Sequence, residues 1–242
     1  MQATLTTELA ALERPLRAYL RRLLLQPDLA EDIVQSTAVR ALEAGTHCPQ
    51  DAQGLRRWLF TVATRLAIDE RRRHSSWREL SLADVRPVAE SRADFVARAE
   101  ARRGSPEMAT IAREHLAICF SCVLRNIEAK RAAALLLREV FGFTVEETAE
   151  ILEARFAQVK NWIQEARAQM ERRYEDTCSL LNKRGVCHQC IELDSFFNGR
   201  TRDPLEGTRG DVDARLAVVR DSAQGDMNGW HRDLLGILTE FD

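Results

Sequence analysis

The segment that most restricts the fold is "TVEETAEILEARFAQVKNWIQEARAQM", residues 144–170. Thr144 followed by Glu147 is a capping-box pattern, in which a hydroxyl and a carboxylate satisfy backbone N–H groups at a helix start. It opens a short helix ending near Leu152. "EAR", 153–155, reads as a three-residue turn, and a longer helix begins near Phe156. In that helix Phe156, Val159, Ile163, Ala166 and Met170 recur at spacings of 3, 4, 3 and 4, which is one buried stripe. Short helix, tight turn and longer helix is the helix-turn-helix plan, whose second helix enters the major groove by its N-terminal end. Off the stripe lie Arg155, Gln158, Lys160, Asn161, Gln164 and Arg167. Arg and Gln are the types that pair bidentately with guanine and adenine edges. Trp162 is a bulky residue for this helix and is expected to pack on a neighbour.

The rest of the chain is also helical in pattern. Leu9–Leu25 has helical spacing and stops before Pro27. A second helix follows from about Asp28, with Leu29, Ile33, Val34, Thr37, Ala38 and Leu42 as its expected apolar face. "GTHCPQDAQG", 45–54, is a loop by composition. A third helix, 55–73, is expected to bury Leu55, Leu59, Val62, Leu66 and Ile68 and to turn its arginines outward. Periodicity weakens over 74–106, apart from one short helix at Ala93–Arg102, and resumes from Glu107 to about Asn126. Ala132–Val140 reads as a short apolar helix closed by "FGF", where Gly142 can take the positive φ of a helix end. The expected class is all-α.

Hydrophobic residues make up 45% and charged residues 30% of the chain, which suits a globular protein and excludes a disordered one. The net charge of −2 does not advertise nucleic-acid binding, but its distribution does. Residues 55–73 carry six arginines against two acids, while "DLAED", 28–32, carries three acids. An acidic helix followed by a basic one can meet two different partners. There is no apolar run of the ~20 residues needed to cross a bilayer and no signal-peptide pattern, so the expectation is a cytoplasmic protein with no membrane partner.

Reduced thiols are expected there, so the six cysteines point to metal, redox sensing or packing before disulfides. "CFSC" carries Cys119 and Cys122 on one side of a helix, with His115 a turn earlier. "GVCHQC" carries Cys187 and Cys190 around His188, beyond the helix-turn-helix. Four thiolates, Cys119, Cys122, Cys187 and Cys190, would suit zinc if they converge. Cys178, His115 and His188 are further candidate ligands, and surplus thiols also suit an iron–sulfur cluster. The alternative is that Cys119 and Cys122 fill an apolar helix face. Cys48 is read as unrelated.

Two segments together resemble bacterial RNA polymerase sigma factors of the extracytoplasmic-function type. "DLAEDIVQSTAVRALE" with "LRRWLFTVATRLAIDERRR" is similar to sigma domain 2, and residues 131–170 are similar to sigma domain 4. The resemblance implies domain 2 at 1–75, a linker at 76–106, domain 4 at 107–177 and a cysteine-containing extension at 178–242. Its partners would be core RNA polymerase, through the β′ clamp helices and the β subunit, promoter DNA and an anti-sigma factor. Asp28, Glu31, Asp32 and Gln35 match the part that docks on polymerase. Arg56, Arg57, Trp58, Thr61, Arg65, Arg71, Arg72 and Arg73 match the segment that recognises and melts the minus-ten element. The helix-turn-helix residues above would meet the minus-thirty-five element. The chain departs from the family pattern at Arg65, where Asn is frequent, at Glu153, where Gly is common, and at Arg155, where Ser or Thr usually caps.

The sequence contains no phosphate-binding Gly loop, nucleophile–base pair or catalytic metal motif, so no enzyme is expected. A helix-turn-helix regulator, or a metal or redox sensor acting without polymerase, is the alternative reading. Beyond the shared region, "DVDARLAVVRD" and "MNGWHRDLLGILTEF" read as two short helices, the second with Trp230, Leu234, Leu238 and Phe241 on one face. The second is expected to dock on the chain itself, and the tail, 191–242, is expected to modulate activity by masking or bracing the two domains.

Overall fold

A computed structural model describes residues 2–73, 87–88, 91–102, 107–177 and 212–222. Among these residues the regular elements are helices and none is a strand: α1 (Gln2–Leu24), α2 (Pro27–Ala44), a short 3₁₀ turn (Gly45–His47), α3 (Ala52–Arg73), α4 (Ala93–Arg102), α5 (Glu107–Arg125), α6 (Ala129–Leu135), a π-helical segment (Leu136–Val140), α7 (Val145–Leu152), α8 (Phe156–Thr177) and α9 (Val212–Ser222). They fall into two compact units. One holds α1, α2, α3, α6, α7 and α8 as far as Ala166, and the other holds α4, α5, α8 from Arg167 and α9.

Helix boundaries follow local chemistry. α1 continues through Pro15, whose ring removes one backbone donor, and ends where Leu25 takes a left-handed φ of 56°. Pro27 then sits in the first turn of α2, where its missing N–H costs nothing. Asp51 starts α3: its carboxylate accepts from Gly54 N at 2.7 Å, and its carbonyl accepts from Leu55 N at 2.9 Å. A Cβ on Gly54 would lie 2.6 Å from that carboxylate and 2.8 Å from the Pro49 ring, so the turn requires glycine there. α6 begins three residues earlier than its apolar pattern suggests, because Glu128 caps it by accepting from Lys130 N and Arg131 N.

The capping box is present as expected. Thr144 Oγ1 accepts from Glu147 N at 3.1 Å, and Glu147 Oε2 accepts from Thr144 N at 2.8 Å. α7 closes with paired bonds, Ala154 N to Ala149 O at 3.0 Å and Glu153 N to Glu150 O at 3.2 Å. That closure needs a left-handed residue, and Glu153 supplies it at φ 50°.

The core of the first unit is aromatic. Tyr19, Phe60 and Phe143 are fully buried. The Phe60 ring lies 5.3 Å from Tyr19, 4.9 Å from Phe143 and 5.9 Å from Phe141. Phe141 meets Tyr19 edge-on at 5.4 Å. Such pairs add about 0.5–1.5 kcal/mol each beyond area burial. The π-helical segment brings these rings in: Phe141 N reaches back to Leu136 O, five residues away, so the last turn is wider than an α-turn. Gly142 follows at φ 73°, as the "FGF" pattern predicts. Tyr19 also shares a hydrogen bond with the buried Thr64 hydroxyl at 2.9 Å. Burial pushes this phenol above its ordinary pKa.

Three expectations for the apolar faces need correction. Leu42 is 53% exposed, because α2 turns Ala41 to the core instead. Val62 and Leu66 are only half-buried, and α3 buries Phe60, Ala63, Thr64 and Ala67 with Leu55, Leu59 and Ile68. Phe156 is 48% exposed at the first position of α8, while Val159, Ile163, Ala166 and Met170 are buried.

In the second unit α9 packs on α5, with Leu216 and Val219 fully buried. The first of the two extension helices thus packs on α5, although docking was expected only of the second. The second lies outside the described residues.

Candidate nucleic-acid interface

The arginines of α3 are not uniformly turned outward. Arg56 is half-buried, with its guanidinium 3.8 Å from the Phe143 ring centroid and Nη2 donating to Phe141 O at 2.6 Å. Burial lowers its pKa below the ordinary arginine value. Arg56 thus supplies a donor to the Phe141 carbonyl beside Gly142. Arg71 Nη2 donates to Ile127 O at 2.7 Å. Arg57 faces α7, with Nη1 3.5 Å from Glu147 Oε1 and Nε 3.2 Å from Glu150 Oε2. Arg65 Nε donates to Glu153 Oε2 at 3.0 Å, and its Nη2 donates to Glu153 Oε1. Arg72 and Arg73 pair within their own helix, with Asp69 at 3.7 Å and Glu70 at 2.5 Å. Trp58 is partly buried against the cluster of Ala41, Cys48, Leu55 and Leu59. Thr61 is half-buried, and its hydroxyl donates to Arg57 O at 2.9 Å.

On α8 the buried stripe turns most of the candidate reading residues to solvent. Arg155, just before the helix, and Gln158, Lys160, Asn161 and Gln164 along its N-terminal half are exposed. The helix is held from behind by α6, through Arg131 Nε to Glu165 Oε2 at 2.8 Å and Lys130 Nζ 5.7 Å from the Trp162 ring centroid. Trp162 thus packs on a neighbour as expected. Arg167 differs from the others. It is half-buried and its Nη2 lies 2.6 Å from Asp213 Oδ1 of α9.

Asp28, Asp32 and Gln35 are exposed on α2. Glu31 is not equivalent to them: Arg17 Nε and Nη2 donate to its two oxygens at 2.7 and 3.1 Å. The Arg17 hydrogen bond holds this carboxyl below the usual carboxylate range. Two apolar residues share this exposed face. Val39 is 51% and Leu42 53% exposed, and they continue the Asp28–Asp32–Gln35 line at spacings of 4 and 3. The outward stripe of α2 is therefore acidic at its start and apolar at its end. The exposure of both could have been found by extending the acidic residues along the helical period.

Cys122 and His115 are buried on α5, and Cys119 is half-buried. Among the described residues no three His, Cys, Asp or Glu side chains are grouped to hold a metal. Cys178, Cys187, His188 and Cys190 lie outside the described residues. Cys48 is core, its thiol donating to Gly45 O at 3.0 Å. No described helix is long and apolar enough to cross a membrane.

Residues 9–77, which contain α1, α2 and α3, match the sigma-70 region 2 family. Residues 124–173, which contain the helix-turn-helix, match the sigma-like domain of the response regulator PhyR. The chain is 30% identical over 156 residues to the ECF RNA polymerase sigma factor SigG of Mycobacterium tuberculosis, in two strains. The match covers 59% of this chain and 41% of that relative, so the chain spans well under half the length of the curated relatives it matches. Along the chain, a segment similar to sigma-70 region 2 is thus followed by one similar to a sigma-like domain, and the chain as a whole is similar to an extracytoplasmic-function sigma factor.

Proposed function

We propose that the protein is a dissociable initiation factor that binds core RNA polymerase, directs it to promoters and helps open them. The observation that carries this reading is the region 2 match on 9–77 followed by a helix-turn-helix in which Arg155, Gln158, Lys160, Asn161 and Gln164 are exposed while Val159, Ile163, Ala166 and Met170 are buried. Asp28, Asp32, Gln35, Val39 and Leu42 form the polymerase-docking stripe. Its carboxylates orient a basic partner helix and its two apolar side chains supply the desolvated area, a division common to protein interfaces. Arg57, Arg65, Arg72 and Arg73 meet promoter phosphates near the minus-ten element, and Arg155, Gln158, Lys160, Asn161 and Gln164 read the minus-thirty-five element. The site of action is the cytoplasm, with polymerase. Gel filtration with core polymerase tests the proposal: co-elution supports it, and separate elution with retained duplex binding favours a regulator acting alone.

A metal at the cysteine pairs is a second proposal. Cys119 and Cys122 stand one turn apart on α5 with His115 a turn before them, a donor set that suits zinc or an iron–sulfur cluster once Cys187 and Cys190 complete it. When bound, the metal would stabilise the segment that follows α8, since coordination energy adds to folding energy.

A further inference from the structure

Among the described residues Val39, Leu42, Val96 and Phe156 are the exposed large apolar side chains, and Phe156 alone is aromatic. The core does not use it: Val159, Ile163, Ala166 and Met170 fill the buried side of α8. Its backbone is nevertheless well fixed. Val159 N donates to Arg155 O at 3.0 Å, which makes Phe156 the first helical residue. The two bonds that close α7, from Glu153 N and Ala154 N, hold the turn just before it.

The surroundings of the ring indicate what it meets. Phe156, Lys160 and Gln164 recur at steps of four and form one line along the helix, with Arg155, Ala157 and Asn161 exposed beside it. This surface is cationic at Arg155 and Lys160 and carries amides at Asn161 and Gln164. The acids that flank it in sequence are each held by an arginine, Glu153 by Arg65 and Glu165 by Arg131. Cations and amides around one ring fit the phosphates and base edges of duplex DNA better than an apolar protein groove. The N-terminal end of the second helix is also the end that enters the major groove.

A phenyl ring discriminates among bases in that groove. Guanine, adenine and cytosine present donors or acceptors there, which would lose water against the ring and gain no bond. Thymine adds a C5 methyl group, which an apolar side chain can cover. We propose that Phe156 is a specificity-determining residue that packs on the C5 methyl of one thymine in the element read by α8. The inference rests on the sigma-factor reading and names a base contact that the polar side chains of the helix do not supply.

The test uses holoenzyme assembled from the full chain and core polymerase, and a library of randomised duplexes. Each thymine of the enriched sequence is replaced in turn by uracil, which lacks only that methyl. One of these replacements is expected to weaken binding by the parent about fourfold, the value of one buried methyl group. The same replacement should weaken Phe156→Ala by less than about twofold, the scatter expected of independent changes. Phe156 is exposed and alanine favours helix, so this variant is expected to fold as the parent does. Gln164→Ala should bind both forms more weakly and keep the fourfold difference between them, which separates a general loss of DNA contact from loss of the methyl contact. A parent indifferent to every replacement, or a uracil effect that persists unchanged in Phe156→Ala, overturns the contact and leaves promoter reading intact. So does a Phe156→Ala loss that is equal on thymine and uracil, which would set the ring against polymerase instead. Failure of the holoenzyme to enrich any sequence overturns the sigma-factor reading and the contact together.

Discussion

Arg17 of α1 holds Glu31 of α2 through two parallel hydrogen bonds, Nε to Oε2 at 2.7 Å and Nη2 to Oε1 at 3.1 Å. The pair fixes the angle at which α2 presents its acidic stripe. It also ties Glu31 to α1, while Asp28, Asp32 and Gln35 stay exposed. The Glu31 carboxyl is depressed below the usual value, so its contribution is fully present above the unfolded pKa and is lost as pH falls through the lower folded pKa. Glu31→Gln should therefore lower the melting temperature at pH 6–7, by the equivalent of about 0.5–1 kcal/mol for a partly exposed pair. The deficit should shrink as pH falls below the ordinary carboxylate range. A deficit that does not change as pH falls until the protein unfolds would show that the pair does not act through charge.

The docking stripe should be separable from stability. Asp28→Lys with Asp32→Lys, and separately Val39→Ser with Leu42→Ser, alter exposed side chains and should leave helicity and melting temperature within about 0.5 kcal/mol of the parent. Each pair should weaken competition for core polymerase by about tenfold or more, since central interface side chains contribute 1 kcal/mol or above. Full competition by both variants would move the docking surface off this face of α2.

Local chemistry was legible in the sequence, and long-range chemistry was not. Thr144 and Glu147 announce their capping box because both partners lie within one turn, and Gly142 announces its positive φ for the same reason. Leu42 and Phe156 were misplaced because helical periodicity assigns any apolar residue near the stripe to the core. Which edge of that stripe faces solvent depends on the neighbouring helix, and the short side chains of Ala41 and Val159 are the ones that fit. The engagement of Arg56 by the "FGF" turn and of Arg65 by Glu153 spans 85 and 88 residues. No local pattern reports such contacts, although Arg65 and Glu153 both stood out as unusual in place.

The Tyr19–Thr64 bond ties α1 to α3 inside the aromatic core. Tyr19→Phe keeps the ring and leaves the buried Thr64 hydroxyl without that partner, which should cost about 1–2 kcal/mol. Phe60→Ala removes the ring at the centre of the cluster and should cost about 3–5 kcal/mol. Denaturant unfolding at constant slope measures both. A Phe60→Ala loss under about 1 kcal/mol would mean that the four rings do not form the core.

The cysteine proposal has its own readout. Protein from metal-replete cells should carry zinc, or an iron–sulfur cluster when prepared without oxygen. Cys187→Ser with Cys190→Ser should lose that metal and lower the melting temperature, because coordination stabilises the folded state. Metal analysis showing none in either preparation would leave Cys122 as a buried core residue and remove the site.

Polymerase-dependent run-off transcription tests the central claim most directly. The purified chain is added to core RNA polymerase on a library of genomic fragments. Discrete transcripts from a defined set of start sites should appear only when both are present, and neither component alone should give them. Absence of specific transcripts with active core polymerase, together with specific duplex binding by the chain alone, would contradict the account and make the protein a regulator that acts without polymerase.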